Sequence, residues 1–323
     1  MAHGVCDEIR DRCRWVADQA SHVHIDPDRL SDYARSFPVS ELGRVGDDPA
    51  HHRMSDDEEA TAAFVVSLDA INFGSGWFPT LTKRPGMSGY HTIAASWREH
   101  VEATGAPTAE GLTSLTRADC CRIFGQVDDE DEPATELMEL FASALNDLGA
   151  FLLEDYEGSF SAMVEDAGRS AQRLVLILDR MPFFHDVAEY RGVDVPLYKR
   201  AQITGFDLSL AFGGRGPGRF DDLAALTMFP DNLVPHVLRV DGVLQLDDDL
   251  AARIDAEELI APGTPEEVEI RACGVHAVEL LRAELAALGT ETTSGRIDTV
   301  LWTRGGEPRY KARPRHRTRT VSY

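Results

Sequence analysis

The chain has 323 residues, 43% of them apolar, which is enough for one large buried core or two modest ones. Its 55 acids against 32 bases leave a net charge of −23, so the molecule as a whole repels polyanions. No apolar run approaches the roughly 18–20 residues needed to cross a bilayer, and Met1-Ala2-His3-Gly4-Val5-Cys6-Asp7-Glu8 lacks the basic-then-apolar order of a secretory signal.

In chain order, residues 1–46 are expected to form an N-terminal helical segment, ended by the solvated turn Gly46-Asp47-Asp48-Pro49. Ser55-Asp56-Asp57-Glu58 has the form of a capping box and precedes the apolar stretch Ala60 to Ile71. The acidic run Val127 to Pro133 predicts a loop over 127–135. Glu136 to Leu153 then carries Leu137, Leu140, Phe141, Leu145, Leu148 and Leu152 near a 3.6-residue period, the pattern of an amphipathic helix. Ser170 to Met181 repeats that style and stops at Pro182. Gly192 to Pro196 is a strand candidate. Gly213-Gly214-Arg215-Gly216-Pro217-Gly218-Arg219 lacks the G-x-x-x-x-G-K-[ST] order of a phosphate loop, and no strand precedes it, so a flexible connection is expected.

Thr264-Pro265-Glu266-Glu267 is a second capping-box pattern with proline at the first helical position. Its helix is expected to reach Leu288 and to end at Gly289. Apolar residues on almost every face predict a central, buried element. Thr299 to Thr303 and Thr318 to Ser322 are further strand candidates. These signals predict a mainly α fold, a single helical domain over residues 1–323 with a few short β-strands.

The five cysteines include no C-x-x-C pair, which points to free thiols in a reducing, cytoplasmic setting rather than to disulfides or structural zinc. Basic residues gather only near the C-terminus, at Arg304, Arg309, Lys311, Arg313, Arg315, Arg317 and Arg319. On so acidic a body they make a poor nucleic-acid footprint, and a free nucleotide fits better than a polymer. His51-His52 and His22-x-His24 stand in polar contexts and are expected at the surface rather than as metal ligands.

Nucleophile-elbow, zinc-protease, Walker and Rossmann motifs are all missing from the sequence. What stands out is a set of polar residues embedded in apolar segments. Asp69-Ala70-Ile71-Asn72-Phe73-Gly74-Ser75-Gly76-Trp77-Phe78 offers an acid, an amide and stacking aromatics suited to a heterocyclic base, or else a helix cap over core aromatics. Tyr198-Lys199-Arg200, followed by Asp207, offers two cations for a phosphate or for the surplus acids. Lysine is scarce here, present only as Lys83, Lys199 and Lys311. Phe229-Pro230-Asp231-Asn232-Leu233-Val234-Pro235-His236 sets Asp231 between apolar residues and prolines. A carboxylate so placed finds partners or shifts its pKa upward, whether as a catalytic acid or as a buried turn residue. Glu269 and Arg271 lie on the largely apolar helix after Thr264, where they either pair with other buried groups or orient a site.

Taken in order, several segments resemble the queuosine salvage protein family, the queuosine 5′-phosphate N-glycosylase/hydrolases. They are Asp69 to Trp77, Ser88-Gly89-Tyr90, Gly158-Ser159-Phe160, Tyr198 to Ile203, Thr227-Met228-Phe229-x-Asp231, Pro235-x-Val237-Leu238 and Glu267-Val268-Glu269-Ile270-Arg271-x-Cys273. Thr318 to Tyr323 is similar to the family's aromatic end, and the resemblance runs from about Asp47 onward. The chain departs from the family's Asp-Tyr-Arg-[Leu/Val]-Pro-Gln at Asn232, Leu233 and His236, and Gly74-Ser75-Gly76 is looser than the family's aromatic-rich loop.

The resemblance implies a helical fold similar to DNA glycosylases and hydrolysis of the bond joining queuine to ribose. It also implies the 5′-monophosphate as preferred substrate, with no cofactor and no metal. Under it, Asp231 stabilises or attacks an oxocarbenium-like centre at the ribose. Asp69 and Asn72, with Phe73 and Trp77, are expected to grip the base. Lys199, with Arg200, is expected to hold the phosphate, and Asp207 to position Lys199 or to face the substrate. Tyr198, Phe229, Asn232, His236, Glu269 and Arg271 complete the expected substrate-binding set. A small-molecule nucleotide is the expected partner, without stable nucleic-acid or membrane binding. The alternatives are a nucleic-acid glycosylase or tRNA-binding protein, and a non-catalytic 7-deazaguanine-binding protein.

Overall fold

A computed structural model describes residues 4–44 and 57–323. Its first elements are α1 (Val5–Gln19), β1 (Val23–Ile25), α2 (Pro27–Ser36), α3 (Glu58–Ala70), α4 (Gly89–Thr104), α5 (Ala109–Thr113), α6 (Arg117–Phe124), α7 (Pro133–Tyr156), α8 (Phe160–Asp166) and α9 (Ala171–Leu178). There follow β2 (Val187–Tyr190), β3 (Val193–Pro196), α10 (Lys199–Ala211), α11 (Leu233–Val240), β4 (Leu244–Leu246), α12 (Asp248–Asp255), α13 (Pro265–Ala287), α14 (Ser294–Arg304) and α15 (Pro308–Lys311). The protein is mainly α, as its periodicities predict. The chain divides into two compact units: residues up to 47 with 186–199 and 224–319, and residues 48–185 with 200–223 and 320–323.

In the first unit α13 is the axis. Val268, Ile270, Cys273, Val275, Val278 and Leu281 are buried around its circumference, and α1, α2, α11 and α14 pack on it. Gly274 lets α11 approach closely, because a Cβ there would lie 2.9 Å from Pro235 Cγ and 3.2 Å from Met228 Cε. The helix starts with Pro265 at its first position, and Gly289 follows its end at φ +88°. The predicted capping box does not form. The Thr264 hydroxyl donates to the Ala261 carbonyl (3.0 Å), and buried Glu267 accepts from the Gly263 N–H (3.2 Å) while lying 3.6 Å from Arg271.

Two antiparallel pairs complete this unit. β1 runs against β4 with Val23 opposite Leu246, and β2 against β3 with Tyr190 opposite Val193. The second is a hairpin whose Arg191 and Gly192 both have positive φ (51° and 76°), the requirement of a type I′ turn. Of the predicted strands, residues 192–196 correspond to β3. Thr299 to Thr303 instead lie in α14, where Thr293 caps the helix start and Ile297, Val300 and Leu301 bury one face. Thr318 to Ser322 form no strand, and Arg317 makes only an isolated bridge to Leu259.

The second unit is built on α3, whose residues Ala60 to Ala70 are all buried, and on α7, which packs against α5 and α6. Asp57 caps α3 by accepting from the N–H groups of Glu59 (3.0 Å) and Ala60 (3.3 Å). Ser55, the turn Gly46 to Pro49 and the pair His51-His52 lie outside the described residues. The acidic loop after Val127 ends earlier than expected, because Pro133 opens α7. His24 is exposed, and His22 pairs with Asp247 through Nδ1 (2.6 Å). All five cysteines are buried, and none forms a disulfide. Among the described residues no helix is long and apolar enough to cross a membrane.

Candidate active site

The segment leading into α11 is buried from Leu226 to Pro230 and is pinned at each end. The Phe229 N–H donates to Asp298 Oδ1 (3.0 Å), and the Pro230 carbonyl accepts from Arg271 Nε (2.9 Å). Asp231 follows at the helix entrance. Its Oδ1 accepts the N–H groups of Leu233 (2.9 Å) and Val234 (3.0 Å), so this oxygen caps α11. Its Oδ2 makes no hydrogen bond among the described residues, and the side chain keeps partial access to solvent. Burial pushes the Asp231 carboxyl above the usual carboxylate range; the Lys199 cation, the two N–H donors and the Arg315 cation pull it back only in part. One oxygen is therefore structural, and the other belongs to a partly desolvated carboxylate on which the charges of Lys199 and Arg315 act.

Lys199 is set in place by Asp186, which sequence reasoning passed over. The Asp186 carbonyl accepts the N–H groups of Leu197 (2.9 Å) and Tyr198 (3.2 Å), and its Oδ2 accepts the N–H of Lys199 (2.9 Å). This wrapping holds Tyr198 at φ +48°, a conformation that costs energy for a bulky residue. The same carboxylate receives Arg271 through Nη1 (3.0 Å) and Nη2 (2.7 Å), both partners being almost fully buried. Through its third nitrogen Arg271 holds Pro230, so one guanidinium fixes the entry to Asp231 and, through Asp186, the entry to Lys199.

The expected residues Asn232 and His236 have other partners. Asn232 Nδ2 donates to the His316 carbonyl (3.0 Å), tying the loop of Asp231 to residues 314–316. His236 Nε2 donates to the Tyr310 carbonyl (2.9 Å), which fixes the proton on that nitrogen; its buried Nδ1 has no hydrogen-bond partner among the described residues. Burial lowers His236 to about 4 and His316 to about 3, so both rings are neutral at pH 7. Glu269 is committed to architecture. Its carboxylate accepts the N–H groups of Ser21 (3.1 Å), His22 (2.6 Å) and Val23 (3.1 Å) and the Tyr190 hydroxyl (2.7 Å), anchoring β1 to α13.

The remaining expected residues lie in the second unit. Asp69, Asn72, Phe73 and Trp77 are all buried at or just beyond the end of α3. Asn72 Nδ2 donates to Asp69 Oδ1 (3.2 Å), and Trp77 Nε1 donates to Glu136 Oε2 (2.7 Å). Gly74 has φ +100°, and a Cβ there would lie 2.5 Å from Leu137 Cδ1, so the loosened loop requires glycine. Arg200, next in sequence to Lys199, is an interior residue of this unit. Its guanidinium donates to the Ala70 carbonyl (2.5 Å) and stands over the rings of Phe73 (4.8 Å) and Phe184 (4.9 Å). Asp207 is half-buried on α10. Among the described residues no three His, Cys, Asp or Glu side chains gather as a metal site.

The sequence matches the family model of the queuosine salvage protein over residues 51–323. It is 38% identical to a protein of Sphaerobacter thermophilus named queuosine 5′-phosphate N-glycosylase/hydrolase, over 96% of each chain. Proteins of the same name from Mus musculus and Dictyostelium discoideum are each 31% identical, covering 97% and 98% of this chain and 98% of their own length. With a family model matching most of its length and relatives similar nearly end to end, this chain belongs to the queuosine salvage protein family.

Proposed function

We propose that this protein hydrolyses the N-glycosidic bond of queuosine 5′-monophosphate, releasing queuine and ribose 5-phosphate. The observation that carries the proposal is Asp231: a partly desolvated carboxylate with one oxygen fixed by a helix cap and the other without a hydrogen bond among the described residues, within reach of the Lys199 charge. The names of the relatives supply the substrate.

As the bond between C1′ and the base nitrogen lengthens, its electron pair goes to the base and positive charge develops on the ribose. A fixed anion is worth most at that point, because a desolvated site weakens its attraction less than water would. Water then adds at C1′ and loses a proton, while the departing base gains one. Queuine is a 7-deazaguanine without an N7 to protonate, so stabilisation on the sugar side carries more of the barrier. Lys199 favours the ionised form of Asp231 that this step needs.

The test is queuine release from the nucleotide, followed by chromatography. Turnover by the wild type, with ribose 5-phosphate formed in equal amount, supports the proposal. Stabilisation by the nucleotide in a thermal shift without any turnover would replace it with a binding protein. We further propose that the protein forms no stable nucleic-acid complex. Salt-sensitive RNA binding in a filter assay would overturn that part.

A further inference from the structure

We propose that Arg315 grips the substrate's 5′-phosphate beside Asp231 and so selects the nucleotide over the nucleoside, an assignment that rests on the glycosidase reading above. Most of the neighbouring basic residues have protein partners. Arg304 bonds the Tyr33 hydroxyl (2.8 Å), Arg309 pairs with Asp241, Arg313 pairs with Asp255 (3.2 Å), and Arg317 donates to the Glu257 carbonyl. Arg315 makes no hydrogen bond and no ion pair among the described residues, although the chain carries 55 acids against 32 bases.

Its position is nonetheless fixed from both sides. The preceding Pro314 carbonyl accepts from Arg239 Nη1 (3.3 Å), and the following His316 carbonyl accepts from Asn232, the residue after Asp231. The Arg317 carbonyl then receives the Ile260 N–H (2.9 Å). Arg315 is thus carried on an anchored backbone, partly exposed, close enough to Asp231 for the two charges to interact but beyond ion-pair distance. Burial disfavours its charged form, and the Asp231 carboxylate offsets that penalty only in part.

A guanidinium brings five N–H donors in a rigid fork that matches a phosphate bidentately, and a partly desolvated one without acceptors is costly until a ligand supplies them. A phosphate dianion approaching Asp231 is repelled by the carboxylate. Arg315, with Lys199, offsets that repulsion on the same unit. Arg200, expected from the sequence to assist Lys199 with the phosphate, instead bonds the Ala70 carbonyl and stands over two aromatic rings.

The experiment compares kcat/KM for queuosine 5′-monophosphate and for queuosine in wild type, Arg315→Ala and Arg315→Lys. Loss of two charge-assisted hydrogen bonds should lower the nucleotide-to-nucleoside ratio about 100-fold in the alanine variant, with lysine intermediate. Ribose 5-phosphate should raise the melting temperature of the wild type but not of Arg315→Ala, and plain ribose should raise neither. An unchanged ratio, or equal protection of both proteins by ribose 5-phosphate, overturns the assignment. If the wild type turns over neither substrate, the glycosidase reading fails and the ribose 5-phosphate titration alone decides on Arg315. Should the alanine variant not fold, Arg315→Lys and Arg315→Gln carry the same comparison.

Discussion

Replacing Asp231 with asparagine separates the two tasks of its carboxylate. An asparagine Oδ1 can still accept from Leu233 and Val234, so the cap on α11 survives, whereas the charge disfavoured by burial is gone. Because burial raises the folded-state pKa, ionised Asp231 subtracts from stability. Its penalty is absent below the unfolded value of about 4 and grows as pH rises through the higher folded value. Asp231→Asn should therefore melt at or above the wild type at pH 7, with the difference shrinking toward pH 4. Asp231→Ala loses the cap at a cost of about 1 kcal/mol and should melt about 2–4 °C lower than the asparagine variant. Both should lose queuine release by roughly a thousandfold, equivalent to about 4 kcal/mol of transition-state stabilisation. The assay is chromatographic release from the nucleotide beside a melting curve for each variant across pH. Release by Asp231→Asn within tenfold of the wild type would refute the charge argument, and an asparagine variant less stable than alanine would refute the division of labour between the two oxygens.

Other expectations follow from the same geometry. Activity should fall on the acid side at a pH above the ordinary carboxylate range, and Lys199→Met should move that limb higher still, since Lys199 pulls the Asp231 pKa down; a kcat/KM profile whose limb stays put or moves lower contradicts this. Arg271→Met strands Asp186 as a buried charge and should cost about 3–5 kcal/mol in urea unfolding, with Arg271→Met/Asp186→Leu recovering part of the loss. A double variant no better than the single one argues against the clamp. Glu269→Gln should cost about 1–3 kcal/mol and couple to Tyr190→Phe by about 0.5 kcal/mol or more in a double-mutant cycle, because the two groups share a hydrogen bond; strict additivity would say that they do not.

Much of this was legible from local pattern. The apolar periods and proline positions identify α7, α9 and α13 and place α13 at a buried centre. Asp231, an acid between prolines in an apolar segment, is conspicuous without any structure, as is the ordered set of segments that resembles the family. The errors are equally local in origin. Thr299-Val300-Leu301-Trp302-Thr303 has the β-branched character of a strand, yet the cap at Thr293 and the buried face of α14 make it helical. β1 and β4 are three residues each, too short to leave a periodic signal, and they exist because distant segments meet beside α13.

The sequence by itself determined the helical class and the family and singled out Asp231 as the candidate carboxylate, because each is written in spacing and residue type over short stretches of chain. Tertiary structure alone decided what each charged side chain serves. Lys199 and Arg200 are adjacent, yet the charge of one acts on Asp231 and the other is buried against Phe73 and Phe184. Glu269 and Arg271 stand two positions apart on α13, yet one anchors β1 and the other fixes Pro230 and Asp186. In sequence Arg315 is one of several similar tail arginines, and only the hydrogen bonds of Asn232 and Arg239 to its neighbours bring it beside Asp231. A buried charge is defined by the partner that compensates it, and that partner comes from distant chain, where no local pattern can point to it.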